Sequence, residues 1–342
     1  VYFGAGRKEM AVLYVDEYGC KVRFSGGLVV VESHDGRELA SVRLQELEYV
    51  VIMENASITS AAATALLRGS VPVAFLSHGG EYLGKLEPPV GKNVLLRRAQ
   101  YKASDDPSFC LEISRAIVYG KLANMRTILM RYARNKPELD FLGIESLMRS
   151  LLESVKTASD ITALLGLEGN GTRYYFSIFP IILPEPWKFE GRSRRPPRDP
   201  VNAMLSFAYA LLENEIENAI SICGLDPYCG FFHQDAYGRQ SLVLDLMEEF
   251  RPVIADSVVL NCCIRRMIDP VQDFEERDGG VFLNEQGRQK FFRIFDARMK
   301  TPLNTSSIRG TCTYRSVCES QARMLARCLT DNSQKYVPYT VK

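Results

Sequence analysis

The feature that most constrains this chain is a change of hydrophobic period at residues 87–91. Before it, short β-branched and aromatic runs recur at Met10–Val15, Lys21–Phe24, Leu28–Val31, Ala40–Leu44 and Tyr49–Met53. Gly19, Gly26, Gly27 and Asp35–Gly36 punctuate them, which predicts strands joined by turns. Short strands at regular spacing predict a small sandwich. One alanine-rich helix, Thr59–Arg68, interrupts them, with Ser60 near its start, and a strand follows over Val71–Phe75 before a turn at Gly79–Gly80. His34 and His78 fall in turn-rich stretches and read as surface histidines. Glu87, Pro88, Pro89, Val90 and Gly91 suit neither a strand nor a helix. Beyond them the period is that of a helix: Val118, Leu122, Met125 and Leu129 form one stripe, and Val201, Leu205, Ala208, Leu212, Ile216 and Ile220 another. Asp199 and Pro200 supply the cap and first position of the second helix. The predicted class is α+β: a β-sandwich over 1–86, a linker at 87–91 and an all-α domain over 92–342. The polar tail Asp331–Lys342, which contains Pro338, reads as partly disordered.

Composition narrows the function. Of 342 residues, 42 are basic and 41 acidic, so no global basic footprint exists and any nucleic-acid contact must rest on a local patch. Nine cysteines include no CxxC pair, which argues against a zinc or iron–sulfur module in this segment and suits a reducing, cytoplasmic compartment. Tyr174–Leu183, the longest mostly apolar stretch, is far too short for a membrane span, and no signal peptide opens the sequence. The first residue is Val1 rather than Met, which suits a piece of a longer chain.

Three segments carry candidate chemistry. On a helix over Ser241–Phe250, Asp245, Glu248 and Glu249 cluster opposite the stripe of Leu242, Val243, Leu246, Met247 and Phe250. An isolated helix of this kind would show water an acidic face. Three like charges within a turn repel, however, and call for an arginine from elsewhere or a divalent cation. His233 lies a loop's length upstream, and Glu168 sits in a glycine-rich stretch, where an ordinary surface carboxylate is the alternative reading. Two carboxylates and an imidazole suit Mg2+ or Mn2+. Arg192, Arg194, Arg195 and Arg198 surround Pro196–Pro197; they read equally as a solvated charge run and as a grip on phosphate.

Taken together, LEGNGTRYYF (167–176), RPPRDPVNAMLSFAYALL (195–212) and FFHQDAYGRQSLVLDLMEEFRP (231–252) resemble the CRISPR-associated spacer-acquisition integrase, an endonuclease of CRISPR adaptation. The resemblance spans essentially the whole chain. It implies that Glu168, His233 and Glu248 are catalytic metal ligands for Mg2+ or Mn2+, with Asp245 beside them orienting the site or binding water. It implies a homodimer that joins a small ferredoxin-like second CRISPR-associated protein. The assembly takes a double-stranded DNA fragment and inserts it into the CRISPR repeat by attack of a 3′-hydroxyl. The iron–sulfur exonuclease known as the fourth CRISPR-associated protein is a further partner, fused upstream or separate. Two other classes stay open: a metal-dependent nuclease acting on branched DNA outside spacer acquisition, and a non-catalytic DNA-binding scaffold.

Overall fold

The computed structural model describes residues 2–3, 11–88, 93–134, 141–233, 236–303, 311–331 and 333–341. Of the expected linker, Pro89, Val90 and Gly91 lie outside the described residues, as does Met10 of the first expected strand. The chain is mixed α+β and divides into two compact units. Unit 1 comprises Val1–Val90, Ser193–Leu211 and Arg265–Arg298; unit 2 comprises Gly91–Arg192, Leu212–Ile264 and Met299–Lys342.

In unit 1, β1 (Tyr2–Phe3), β2 (Ala11–Val15), β3 (Lys21–Ser25), β4 (Leu28–Glu32), β5 (Glu38–Arg43), β6 (Leu47–Met53) and β7 (Ser57–Ile58) precede α1 (Ser60–Arg68); β8 (Val73–Leu76) and β9 (Tyr82–Leu86) follow it. A five-stranded sheet runs β1-β2-β6-β8-β9, and a four-stranded sheet runs β5-β4-β3-β7. Alternate residues of both sheets, among them Leu13, Val15, Val50 and Ile52 from one and Val22, Val29 and Val31 from the other, enter a single apolar core. The β2–β6 and β6–β8 pairs are parallel, so the chain must cross over between them; α1 makes the second crossing. The cap of α1 is Thr59, whose hydroxyl accepts from the Ala62 N–H, rather than Ser60. His34 is exposed, whereas His78 is half-buried and paired with Glu54.

The later segments also contain strands, which corrects the expectation that 92–342 is all helical. β10 (Phe274–Arg277) and β11 (Gly280–Leu283) form an antiparallel hairpin in unit 1. Its turn is Asp278–Gly279, both at positive φ, the pairing a two-residue hairpin turn requires. β12 (Pro302–Leu303) pairs with β13 (Cys312–Thr313) in unit 2. The hairpin's neighbours hold to the N-terminal strands. Phe292 stacks on Tyr14 at 4.5 Å, and the buried Arg288 guanidinium donates to Asp16 at 2.9 Å.

Unit 2 is built around α3 (Pro107–Ala133), which follows α2 (Val94–Ser104) and packs on α4 (Phe141–Thr157) and α5 (Ile161–Ser177). Asp106 caps α3 through the Ser108 N–H, and Asp160 caps α5 through the Ala163 N–H. The short α6 (Phe179–Ile182) leads to Trp187, which is buried as core. α7 (Pro200–Cys223) starts where the sequence predicts, with Asp199 accepting from the Asn202 N–H. Next come α8 (Ser241–Met247) and α9 (Ser257–Ile264), joined through a π-helical turn at Arg251–Asp256. Pro252 there has no N–H to donate, and its own carbonyl accepts from the Ser257 hydroxyl. α11 (Tyr314–Thr330) completes the helices of unit 2, while α10 (Glu285–Met299) lies in unit 1 up to Arg298. All nine cysteines are free thiols. Among the described residues no helix is long and apolar enough to cross a membrane.

Candidate metal and nucleic-acid site

Despite its glycine-rich surroundings, Glu168 lies on a helix. LEGNGTRYYF is the second half of the regular helix α5. Its glycines serve proximity: a Cβ on Gly171 would come within 2.2 Å of the Leu122 side chain, so only glycine lets α5 approach α3 this closely. That approach brings Glu168 against Lys121, the residue beside Leu122. The Glu168 carboxylate pairs with the Lys121 ammonium and accepts from the Thr172 hydroxyl at 2.8 Å.

The acidic helix differs from its expected picture. Asp245, Glu248 and Glu249 are all buried, so α8 and the turn after it show no acidic face to water. Each carboxylate has its own partners. Glu248 meets the same Lys121 ammonium at 2.5 Å through Oε2, and accepts from Arg251 Nε at 3.0 Å through Oε1. Burial pushes its carboxyl upward, but the charges of Arg251 and Lys121 outweigh this, and with His233 they hold it down at about 2. Glu249 turns to the C-terminal tail. It accepts from the Tyr336 hydroxyl, the Tyr339 N–H and, at 3.3 Å, the Gln321 amide. Burial without a cation raises it to about 7 despite those donors. The tail expected to be partly disordered is therefore a packed strap over its described residues: Tyr336 and Tyr339 are buried, and Asn124 donates to the carbonyls of Glu249 and Tyr339.

Asp245 organises the loop that bears His233. Its carboxylate accepts from the backbone N–H groups of Phe231, Phe232 and His233 at 2.6, 3.0 and 2.8 Å, and faces His233 Nδ1 at 2.7 Å. A carboxylate can only accept, so Nδ1 carries a proton, and whenever the ring is neutral its lone pair lies on Nε2. Gly230 lets the loop pass close to α8; a Cβ there would sit 2.9 Å from Asp245 Oδ2. Among the described residues no three histidine, cysteine or acidic side chains already converge as a metal cage. Glu168 and Glu248 converge on an ammonium instead, with His233 close enough to act on the Glu248 charge. Two carboxylates around one cationic point fit a hard or borderline divalent cation, and the His233 imidazole on the loop that Asp245 holds is of the right chemistry to add a nitrogen donor.

Sequence reasoning missed Lys121, Arg251 and the tail tyrosines. Lys121 was visible in principle: it falls on the stripe of Val118, Leu122 and Met125, where an apolar residue is expected. Arg251 stands three residues beyond Glu248 on a helical path.

The arginine loop divides between the units, with Arg192 in unit 2 and Arg194, Arg195 and Arg198 in unit 1. In unit 1 its backbone is pinned: the Ser193 N–H donates to Asn202 Oδ1 at 3.0 Å, the Arg198 N–H to Ser193 Oγ at 3.1 Å, and the Val281 N–H to the Pro197 carbonyl at 2.9 Å. Arg194, Arg195 and Arg198 are exposed on this held frame, while Arg192 is half-buried.

Over 334 residues the chain is 38% identical to a CRISPR-associated endonuclease Cas1 of Thermus thermophilus, covering 97% of this chain and 98% of that protein. It is also 38% identical over 339 residues to a CRISPR-associated exonuclease Cas4/endonuclease Cas1 fusion of Geobacter sulfurreducens, covering 96% of this chain but only 60% of the fusion's length. A casposase bound to integration product superposes with a TM-score of 0.85 at 25% identity, covering 96% of this chain and 93% of the casposase. Residues 13–297 match the family described as CRISPR associated protein Cas1, and the chain belongs to that family.

Proposed function

We propose that this chain is a metal-dependent DNA endonuclease and integrase of CRISPR adaptation, with Glu168, His233 and Glu248 as the ligands of Mg2+ or Mn2+. The observation that carries the reading is the meeting of Glu168 from α5 and Glu248 from the end of α8 on one cationic point. A divalent cation held there would polarise a phosphoryl oxygen and stabilise charge on the attacking and leaving oxygens. In the transfer, the 3′-oxygen of the incoming fragment forms a bond to a repeat phosphorus and the repeat's own P–O bond breaks. Asp245 occupies His233 Nδ1, which leaves Nε2 as the ligand atom. Arg194, Arg195 and Arg198 grip backbone phosphates, which positions DNA without reading its sequence. No side chain is asked to form a covalent bond to DNA.

Around this chemistry the resemblance supplies an assembly. The two sheets of unit 1 that share one core make the β-sandwich dimerisation domain of residues 1–86. The ferredoxin-like second CRISPR-associated protein joins the dimers, and the exonuclease to which the Geobacter relative is fused trims the fragment. Glu168→Ala or His233→Ala should abolish Mn2+- or Mg2+-dependent strand transfer into a repeat-bearing target while the fold, followed by circular dichroism, stays intact. Full activity in either folded variant sinks the assignment. Cleavage of branched DNA with no strand transfer would favour the nuclease reading, and chelator-insensitive binding with no cleavage would favour the scaffold.

A further inference from the structure

Lys121 sits where the proposed cation would sit. It is buried in the middle of α3, with a side chain only 6% exposed, and its ammonium contacts Glu168 Oε1 and Glu248 Oε2 together. Arg251 holds the other oxygen of Glu248. Two carboxylates thus face two cationic side chains. A divalent ion that takes Glu168 and Glu248 as ligands meets oxygens already engaged by an ammonium, in a setting where water screens little. It adds two positive charges beside two cations already in place.

We propose that Lys121 is a built-in competitor of the catalytic cation. It holds Glu168 and Glu248 in register in the metal-free protein and must leave them when the ion enters. This inference rests on the metal-site reading above. It assigns Lys121 a positioning role, and it explains why a buried lysine lies on an otherwise apolar stripe. Once displaced, the ammonium needs a new anionic partner, and the phosphate of bound DNA is of the right chemistry. Metal loading and DNA binding would then support one another, since each removes a cost that the other bears alone.

The test measures Mn2+ binding to the full chain without DNA, by the electron paramagnetic resonance signal of free Mn2+. Thermal unfolding is followed with and without the ion. Lys121→Met removes the charge and keeps most of the length. It should bind Mn2+ about tenfold more tightly than the wild type, the scale of removing one competing charge from the site. Its metal-free melting temperature should fall, because two buried carboxylates lose their shared cation, and Mn2+ should raise it by more than it raises the wild type. A variant that folds only when Mn2+ is present supports the proposal equally. Unchanged or weaker Mn2+ affinity overturns it, as does a variant that Mn2+ cannot fold. Glu168→Gln separates the two readings. If it binds Mn2+ as well as the wild type, the metal-site assignment itself fails. If it loses Mn2+ while Lys121→Met gains nothing, only the competitor role fails.

Discussion

Asp245 holds His233 twice, accepting from its backbone N–H at 2.8 Å and standing 2.7 Å from its ring Nδ1. The same carboxylate takes the N–H groups of Phe231 and Phe232 on its other oxygen. One fully buried side chain therefore fixes the loop's path and the histidine's tautomer together.

Asp245→Asn tests that double role. The amide can present its oxygen to one set of donors, but its NH2 then faces the other set, leaving buried N–H groups unpaired. Destabilisation of about 3 kcal/mol is expected, from one disrupted charged acceptor and the groups it leaves unsatisfied. Urea unfolding measures it. Strand transfer should drop further than the folded fraction does, because the ring is free to move its proton to Nε2. A variant as stable and active as the wild type would show that the loop holds itself.

Gly171→Ala tests the close approach of α5 to α3. The added Cβ would lie 2.2 Å from Leu122 Cδ2, so the helices must separate or Leu122 must leave its place. Overpacking of this kind costs about 1–3 kcal/mol. Because Lys121 neighbours Leu122 and Glu168 lies one turn from Gly171, the Glu168–Lys121 pair should loosen as well. Leu122→Ala opens the needed space, and the two substitutions together should cost less than the sum of each alone. Strict additivity in that cycle would place the strain elsewhere.

How much of this was legible beforehand follows from the range of each signal. Strand and helix periods are local, and β2 to β6, α1, α3 and the start of α7 lie where the patterns of Met10–Met53, Thr59–Arg68, Val118–Leu129 and Asp199–Ile220 put them. The acidic trio was legible as a cluster but not as three separate sites, because the wheel carries no information on what packs against it. It called for a positive partner without naming one for each acid, whereas loop, lysine and tail each cover one. Lys121 and Tyr336 are remote from those acids in sequence, and only the tertiary structure brings them together. The Asp278–Gly279 hairpin was local and readable; the prevailing helical pattern around it obscured it.

Glu249 makes a pH-dependent contribution to stability in the metal-free chain. Its folded carboxyl is raised to about 7 from an ordinary 4.5, with burial as the cause. A raised carboxyl favours the folded state while protonated in both states, so the contribution is fully present below about pH 4.5. It is lost as pH climbs to about 7, and is flat beyond. The total is on the order of 3 kcal/mol from a shift of that size. Glu249→Gln should remove this slope: unfolding free energies of variant and wild type should diverge between pH 4.5 and 7, with the variant gaining. Parallel curves across that range would contradict a buried, uncompensated Glu249.

The arginine loop is testable by salt. Arg194 and Arg195 stand exposed on a pinned backbone and, as partners of phosphate, should act on all duplexes alike. Replacing both with alanine should weaken binding to unrelated DNA sequences equally and lower the log–log salt slope by about one for each phosphate no longer neutralised. Titrations at four or five salt concentrations suffice. An unchanged slope means a solvated charge run.

The last prediction sets Glu248 against Glu249, neighbours that a helical wheel cannot rank. Glu248 shares Lys121 with Glu168 and is held ionised by Arg251 and Lys121. Glu249 points instead to Tyr336, Tyr339 and Gln321 on and beside the strap. Removing charge at the first should act on metal-dependent chemistry, and at the second on the strap alone. Glu248→Gln leaves Lys121 and Arg251 with one carboxylate fewer and a site one anionic ligand short. Strand transfer should fall by roughly a hundredfold or more, the scale of losing an electrostatic interaction that acts in the transition state. Glu249→Gln keeps an acceptor for the Tyr339 N–H, and its NH2 can donate to the Tyr336 hydroxyl oxygen, so the strap should hold and strand transfer should stay within a few-fold of wild type. The comparison belongs at about pH 6.5, with both variants shown folded by circular dichroism and Mn2+ in excess. If Glu249→Gln proves the more damaging of the two, the ligand is Glu249 and the assignment of Glu248 is wrong.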